Sequence, residues 1–298
     1  MAFDPLSSYT LPGEHQVEGL LLNIMTSERF LRKIQQLKFE ATDVIVASYP
    51  KTGVTLLQEM VYLVRNNGED NDQINFSKVP FIEINVTDDI DLLDKTFHSL
   101  PHPRTIKTHF PLNVMKDAIL EQKVRCVYIM RNPKDAIVSY YHFYRMNVAF
   151  GNFPGTWDEF FEMVMVDHLL YGSIFDHYLS WWRQRDQPNL HFVRYEDLLS
   201  QPKEEIARIA KFCDERLSDD VTDKIIQATR FDTMKNNPRT NGSTVPGFRQ
   251  EISPFIRKGI SGDWKNHFSA DQSTRFDALM AEKLSGETDL VKYLAMGE

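Results

Sequence analysis

Four short segments that are rich in apolar or β-branched residues alternate along the chain with longer segments in which apolar residues recur every three or four positions. The four short segments cover residues 44–49, 104–108, 124–130 and 190–195. Continuous apolar runs of this length are typical of strands that are buried on both faces of a parallel sheet. The alternation of strand and helix therefore predicts an α/β fold with a mainly parallel central sheet flanked by helices. No repeat or evident linker divides the sequence, so we expect a single domain over residues 1–298.

Helical spacing is found in six segments, residues 56–64, 133–145, 157–170, 202–213, 219–229 and 270–285. Local signals support several of these predictions. Pro133 suits a first helical turn, and Ser218 suits an N-cap because two aspartates follow it. Ser269 and Gln272 have the spacing of a capping box, and Gly286 suits the cap at the other end of that helix.

A short loop that contains a glycine, residues 49–55, joins the first predicted strand directly to a helix. Such a loop points free backbone N–H groups and the positive end of the helix dipole at one spot. Lys51 adds a cation there, and Thr52 and Thr55 add hydroxyl groups on either side of Gly53. We predict that this loop binds an anionic group such as a phosphate, although an ordinary strand-to-helix turn has the same pattern.

Polar residues follow each of the four predicted strands. They are Lys51 after the first strand, Lys107 and His109 at the second, Arg131 at the third and Tyr195 at the fourth. Parallel strands end at the same edge of a sheet, and ligands bind in the crevice outside that edge. The combination therefore predicts one binding site that all four strand ends share.

Individual residues of this site have two interpretations at this stage. His109 is a candidate general base, because histidine titrates near neutral pH, but a histidine held by a backbone carbonyl fits the same position. Arg131 and Ser139 can hold a second phosphate, or Arg131 can simply precede a helix. Arg257 and Lys258 lie beside glycines in residues 255–265, which fits either a loop around an anion or a solvated surface loop.

Composition narrows the range of partners. The 298 residues carry a net charge of −8, which argues against nucleic acid or an anionic membrane as the main partner.

The spacing of Cys126 and Cys213 fits neither a metal site nor a disulfide framework, so we interpret both as buried thiols in a reducing compartment. The sequence has no signal-peptide pattern and no apolar run near the ~20 residues that span a bilayer, so we expect a cytoplasmic protein.

The loop also differs from the Walker phosphate-binding loop, which requires glycine, lysine and a hydroxyl residue in direct succession. Here Lys51 precedes Gly53 by two positions, and no residues suited to Mg²⁺ are evident. The sequence therefore favours an anion that is held by amides and lysine without a metal. It disfavours a magnesium-dependent P-loop kinase.

Taken together, these motifs closely resemble those of the cytosolic sulfotransferase family, in that family's order, from about Val44 to Gly286. The resemblance rests on residues 49–53, 107–109, 131–135 with 139–143, 195–197, 231–238 and 257–265. It implies a three-layer fold with a P-loop-like phosphosulfate loop and the donor 3′-phosphoadenosine-5′-phosphosulfate (PAPS). In-line transfer of the sulfonate to a hydroxyl or amine of a small, hydrophobic acceptor would release adenosine 3′,5′-bisphosphate (PAP), and the resemblance implies no metal.

The resemblance also implies roles for individual residues. His109 would take the acceptor's proton, Lys51 would stabilise charge on the leaving phosphate with support from Lys107, and Ser139 would hold Lys51 away until the acceptor arrives. The expected nucleotide contacts are Lys51, Thr52, Gly53, Val54, Thr55, Leu56, Arg131, Ser139, Tyr195, Thr229, Phe231, Arg257, Lys258 and Gly259. Lys107, His109, Phe81 and Phe143 match acceptor-pocket positions, although the two phenylalanines fit a packed core equally well.

Three features depart from the family pattern. Val54 stands where a serine or threonine is usual, so a hydrogen bond worth roughly 1.5–3 kcal/mol is lost. Leu56 replaces a tryptophan that usually covers the adenine, which loses stacking on the order of 1–3 kcal/mol. Residues 265–274 lack the family's short dimer motif, so a monomer or a different homodimer is expected.

The sequence thus favours a sulfotransferase and leaves one alternative within the family. That alternative is a catalytically weak or silent member that binds the nucleotide or a hydrophobic ligand. Val54 and Leu56 motivate it, whereas the presence of Lys51, His109 and Arg257 argues against it.

Overall fold

The computed structural model describes residues 9–84, 89, 95 and 97–295. Its strands are β1 (His15–Val17), β2 (Leu20–Leu22), β3 (Val44–Ser48), β4 (Thr105–Thr108), β5 (Arg125–Met130) and β6 (Leu190–Arg194). The last four form one sheet in the order β4-β3-β5-β6, and every neighbouring pair in it is parallel. The predicted α/β fold with a parallel central sheet is confirmed. The hairpin of β1 and β2 was not predicted.

The two faces of the central sheet pack into two separate apolar clusters. Along β3, Ile45 and Ala47 belong to one cluster, whereas Val44 and Val46 belong to the other. All four side chains are at most 1% exposed, and complete burial of a residue such as Val46 contributes about 1.5–3 kcal/mol. Helices cover both clusters, which gives the three-layer arrangement.

The helices of the described residues surround this sheet. Their bounds are Glu28–Gln35, Val54–Arg65, Asn75–Lys78, Leu112–Lys116, Pro133–Met146, Trp157–Met165, Ile174–Trp182, Tyr195–Ser200, Pro202–Phe212, Asp219–Ala228, Phe231–Asn236, Ala270–Lys283 and Thr288–Ala295. All six predicted helices are present. Among the described residues, every helix is too short or too polar to cross a membrane.

The helix that was predicted over residues 157–170 ends at Met165 instead. Asp167 adopts a left-handed conformation with φ of 57°, and its N–H donates to the Val164 carbonyl at 3.1 Å. The His168 N–H then donates to the Met163 carbonyl at 2.9 Å. These two bonds form the C-terminal cap that glycine usually provides, so no residue type in the sequence marks the end of this helix.

Other local predictions agree with the structure. Ser218 accepts a hydrogen bond from Val221, and Ser269 and Gln272 form the predicted capping box. That helix ends at Lys283, so Gly286 lies in the following turn rather than at the cap itself. Cys126 and Cys213 are buried and not disulfide-bonded.

Candidate active site

A cavity of about 570 Å³ opens where the carboxyl ends of the central strands meet. All of the site residues predicted from the sequence line it except Thr52. The Thr52 side chain is buried below the loop, where its hydroxyl donates to the Tyr49 carbonyl at 2.9 Å. The fold therefore brings together residues that are more than 200 positions apart in the sequence.

The loop after β3 has the backbone geometry of an anion site. Gly53 caps the helix Val54–Arg65 with φ of 105°, and that helix has no acidic residue in its first turn. A Cβ atom on Gly53 would lie 2.3 Å from the Tyr195 ring, so only glycine fits there. The free N–H groups of the first turn thus remain available to a ligand.

Lys51 extends from this loop into a strongly positive environment. Burial, and then the charges of the nearby cations Lys107, Arg131 and Arg257, together lower the pKa of Lys51 to about 7. Among the described residues, no carboxylate forms an ion pair with Lys51 or Lys107 in the range of a salt bridge. An anionic ligand would relieve this repulsion, so the electrostatics favour a phosphate-like group.

His109 lies at the end of β4 and is 7% exposed. Its Nδ1 is 2.9 Å from the Ser48 carbonyl oxygen and 3.0 Å from the Ser48 hydroxyl. Because a carbonyl only accepts, Nδ1 carries the proton, and Nε2 is left as the basic nitrogen. Burial, and then the charge of Lys107, hold the pKa of His109 well below its usual range, so the ring is neutral at pH 7.

The sequence left two interpretations of His109, a general base and a histidine that is held by a backbone carbonyl. The structure contains the second contact, with the Ser48 carbonyl. The structure shows that the two interpretations are compatible, since the carbonyl holds Nδ1 and leaves Nε2 free. The Phe81 ring packs edge-on against His109, with ring centroids 5.0 Å apart. The carbonyl and the ring together fix the orientation of the imidazole.

Glu83 is a buried residue of this site that the sequence did not reveal. One of its carboxylate oxygens, Oε1, accepts the Thr108 hydroxyl at 2.8 Å and also the backbone N–H of His109. Burial raises the pKa of Glu83 and lowers that of Lys107, while the attraction between the two groups opposes both shifts. Glu83 is thus a buried carboxyl group whose charge, when ionised, attracts the Lys107 ammonium.

Arg131 and Asp135 connect the loop after β3 with the basic segment near the C-terminus. The Arg131 guanidinium donates to the Ile260 carbonyl at 2.8 Å and lies 4.3 Å above the Tyr195 ring. The Asp135 carboxylate accepts the N–H groups of Gly262 and Trp264 at 2.6 and 2.9 Å. Residues 257–265 are therefore tied to the helix Pro133–Met146 rather than free in solvent.

The same segment forms a cradle at the cavity wall. Arg257 pairs with Asp263 at 2.6 Å, and Lys258 pairs with the other oxygen of that carboxylate. A Cβ atom on Gly259, which has φ of 65°, would lie 2.1 Å from the Phe231 ring. Gly259 therefore permits the close approach of Phe231.

Leu56, Thr229 and Phe231 line the cavity beside this cradle. The Thr229 hydroxyl donates to the Ile225 carbonyl at 2.8 Å, so its oxygen can still accept a hydrogen bond. The Val54 side chain is 5% exposed and packs in one of the two apolar clusters of the sheet.

The other half of the cavity has aromatic walls. The Phe143 ring contacts the rings of Phe150, Phe248 and Phe255, with centroids 5.1, 5.5 and 6.0 Å apart. Phe150, Phe248 and Phe255 were not predicted as site residues. Phe150 lies in a single helical turn, and the other two lie outside the helices and strands, so no periodic pattern marks them. Within the part of the chain that the structure describes, no group of three His, Cys, Asp or Glu side chains is arranged to hold a metal ion.

Comparisons with known proteins agree with this geometry. Residues 41–288 match the family model for the sulfotransferase domain. The chain is 41% identical over 266 residues to mouse sulfotransferase 1B1, which covers 86% of this chain and 87% of that protein. It is 39% identical over 276 residues to rat sulfotransferase 1C2, which covers 91% of this chain and 92% of that protein.

Solved structures show the same likeness. The crystal structure of mouse sulfotransferase SULT7A1 complexed with PAP matches with a TM-score of 0.79 at 28% identity, over 96% of this chain and 99% of that one. A retinol dehydratase in complex with androsterone and inactive cofactor PAP matches with a TM-score of 0.77 at 24% identity, over 91% of this chain and 88% of that one. The second match supports the fold alone.

Proposed function

The chain belongs to the sulfotransferase family, and on that basis we propose that it moves the sulfonate group of PAPS to a small hydrophobic acceptor. The products are the sulfated acceptor and PAP. The observation that best supports the proposal is that one cavity is lined by four cationic side chains and a neutral histidine. They are Lys51, Lys107, Arg131, Arg257 and His109. The cations suit the two phosphate positions of the donor, and the histidine suits the proton transfer.

The donor would lie along the cationic half of the cavity. The N–H groups of residues 51–55 and the helix that follows would receive the 5′-phosphosulfate. Arg257, Lys258 and Gly259 would receive the 3′-phosphate together with Arg131 and Ser139. The remaining predicted contacts, Tyr195, Thr229, Phe231 and Leu56, would surround the adenosine.

The transfer step then follows from the residues that face the cavity centre. The acceptor oxygen or nitrogen attacks the sulfur while His109 Nε2 takes the acceptor's proton. The bond between the sulfur and the bridging oxygen breaks in line with the attack, and that oxygen remains on PAP with the electron pair. Lys51 stabilises the charge that develops on this leaving phosphate, and Lys107 supports it.

The acceptor would enter from the aromatic half of the cavity. Phe81 lies against His109, and Phe143 faces the same space, so a flat apolar group would be held with its hydroxyl or amine near Nε2. Aromatic walls favour such groups through area burial and ring packing. We therefore expect phenols, steroid-like alcohols or arylamines rather than highly charged acceptors.

Transfer of ³⁵S-labelled sulfonate from PAPS to a mixed panel of phenols, steroids, alcohols and amines tests this proposal. The reaction should proceed with a chelator present, because the proposed step uses only protein side chains. Tight binding of PAP by calorimetry without transfer to any of these acceptors would favour the silent nucleotide-binding alternative. The oligomeric state, a monomer or a homodimer without the usual motif, is a separate prediction that sedimentation would test.

A further inference from the structure

Two phenylalanine rings pack against the ammonium group of Lys51. Its Nζ lies 4.3 Å from the centroid of Phe143 and 4.3 Å from the centroid of Phe255. The two centroids are 6.0 Å apart, so the three points form a roughly right-angled corner at Nζ. The rings therefore cover two sides of the ammonium and leave the other sides open to the cavity.

This corner offers the ammonium no competing oxygen. Among the described residues, no hydrogen bond or ion pair to Lys51 Nζ is present, whereas most other buried or half-buried cations of the site have oxygen partners. Arg131 donates to a carbonyl, and Arg257 pairs with Asp263. A ring face attracts a cation through its π electrons, and this attraction does not commit the N–H groups of the ammonium to hydrogen bonds with an oxygen. The N–H groups of Lys51 thus remain available to an incoming anion.

The two rings come from the two halves of the site. Phe143 lies one helical turn after Ser139 and also lines the aromatic half of the cavity. Phe255 lies two residues before Arg257, in the segment that would hold the 3′-phosphate. The Phe248 ring packs against both, at 5.5 and 5.2 Å, but is not in contact with Lys51 at cation–π distance.

We infer that Phe255, together with Phe143, is a positioning residue that places the Lys51 ammonium at the boundary between donor and acceptor. This inference rests on the proposed function. The rings hold the charged group where the 5′-phosphosulfate would meet it, so the lysine need not be ordered when the donor binds. Without the Phe255 ring, one wall of the corner is lost, and the side chain can turn toward water.

Nucleotide binding without turnover tests this role. PAP has a 5′-phosphate, and adenosine 3′-monophosphate lacks it, so the ratio of their affinities reports on the contact with Lys51. Phe255→Leu should weaken PAP about two- to thirtyfold and leave adenosine 3′-monophosphate unchanged. Phe255→Tyr, which keeps a ring, should restore most of the ratio. Phe248→Leu is the matched control, because it removes a neighbouring ring that forms no cation–π pair with Lys51, and it should keep the wild-type ratio.

A second comparison shows whether the effect passes through Lys51. In a Lys51→Met background, Phe255→Leu should no longer change the affinity ratio. The inference is overturned if Phe255→Leu keeps the full preference for PAP, or if it weakens both nucleotides equally while the protein stays folded. A wild-type protein that binds neither nucleotide would instead refute the proposed function.

Discussion

Binding of PAP should draw a proton onto Lys51. Burial and the neighbouring cations lower the pKa of Lys51 to about 7 in the free protein. A bound 5′-phosphate would add two negative charges beside this ammonium and raise its pKa again. The lysine is therefore partly neutral in the free protein above pH 7 and charged in the complex, and the difference must be taken up as a proton.

The size of the effect follows from that pKa. A group with a pKa near 7 is about nine-tenths charged at pH 6 and about one-tenth charged at pH 8. Uptake on binding should then approach about 0.9 proton at pH 8. The affinity should fall about sixteenfold between pH 7 and pH 8.5, because a growing share of the lysine must first be protonated. The direction of both effects is fixed: because binding raises the pKa of Lys51, protons are taken up and the affinity falls as the pH rises.

Calorimetry in buffers with different ionisation enthalpies measures this uptake directly. The phosphates of PAP have a second pKa of about 6, so their charge changes little above pH 7. Lys51→Arg is the matched control, because arginine stays charged throughout this range. The Lys51→Arg variant should take up nearly one proton less than the wild-type protein when PAP binds. Any proton uptake that remains would report on Lys107. Wild-type binding that releases protons, or an uptake that Lys51→Arg leaves intact, would refute the assignment.

Three further substitutions test other parts of the site. His109→Ala should lower kcat by at least about 10²-fold while PAP affinity by calorimetry stays near the wild-type value; near-normal kcat would exclude His109 as the base. Leu56→Trp should tighten PAP by about 1–3 kcal/mol through stacking on the adenine, and an unchanged Kd would contradict that account. Glu83→Gln removes a carboxyl group whose attraction raises the pKa of Lys107, so that pKa should fall further. The basic limb of the kcat/KM profile should then move to lower pH, and an unmoved limb would contradict the role of Glu83 as counter-charge.

Much of the fold could be predicted because its signals are local. The continuous apolar runs of the central strands and caps such as Ser269 with Gln272 depend only on neighbouring residues. The hairpin of β1 and β2 was missed because each strand has only three residues, too few to show a pattern. The helix Trp157–Met165 was predicted too long because Asp167, not glycine, turns the chain there.

The cationic half of the site could be predicted because its residues lie in short motifs at strand ends. Other parts depend on contacts between distant segments, which no local pattern reveals. Asp135 holds the N–H of Gly262, 127 positions away, and Glu83 holds that of His109, 26 positions away. Phe255 reaches Lys51 in the same way, from a loop without periodic structure.

A quantitative transfer assay tests the proposed reaction directly. Purified protein is incubated with PAPS and a phenolic acceptor in the presence of a chelator, and both products are measured by mass spectrometry. We expect one sulfated acceptor for each PAP formed by the wild-type protein, and neither product above background with His109→Ala. Equal product formation by the two proteins would refute the role of His109, and PAP formed by the wild-type protein without any sulfated acceptor would refute the proposed transfer.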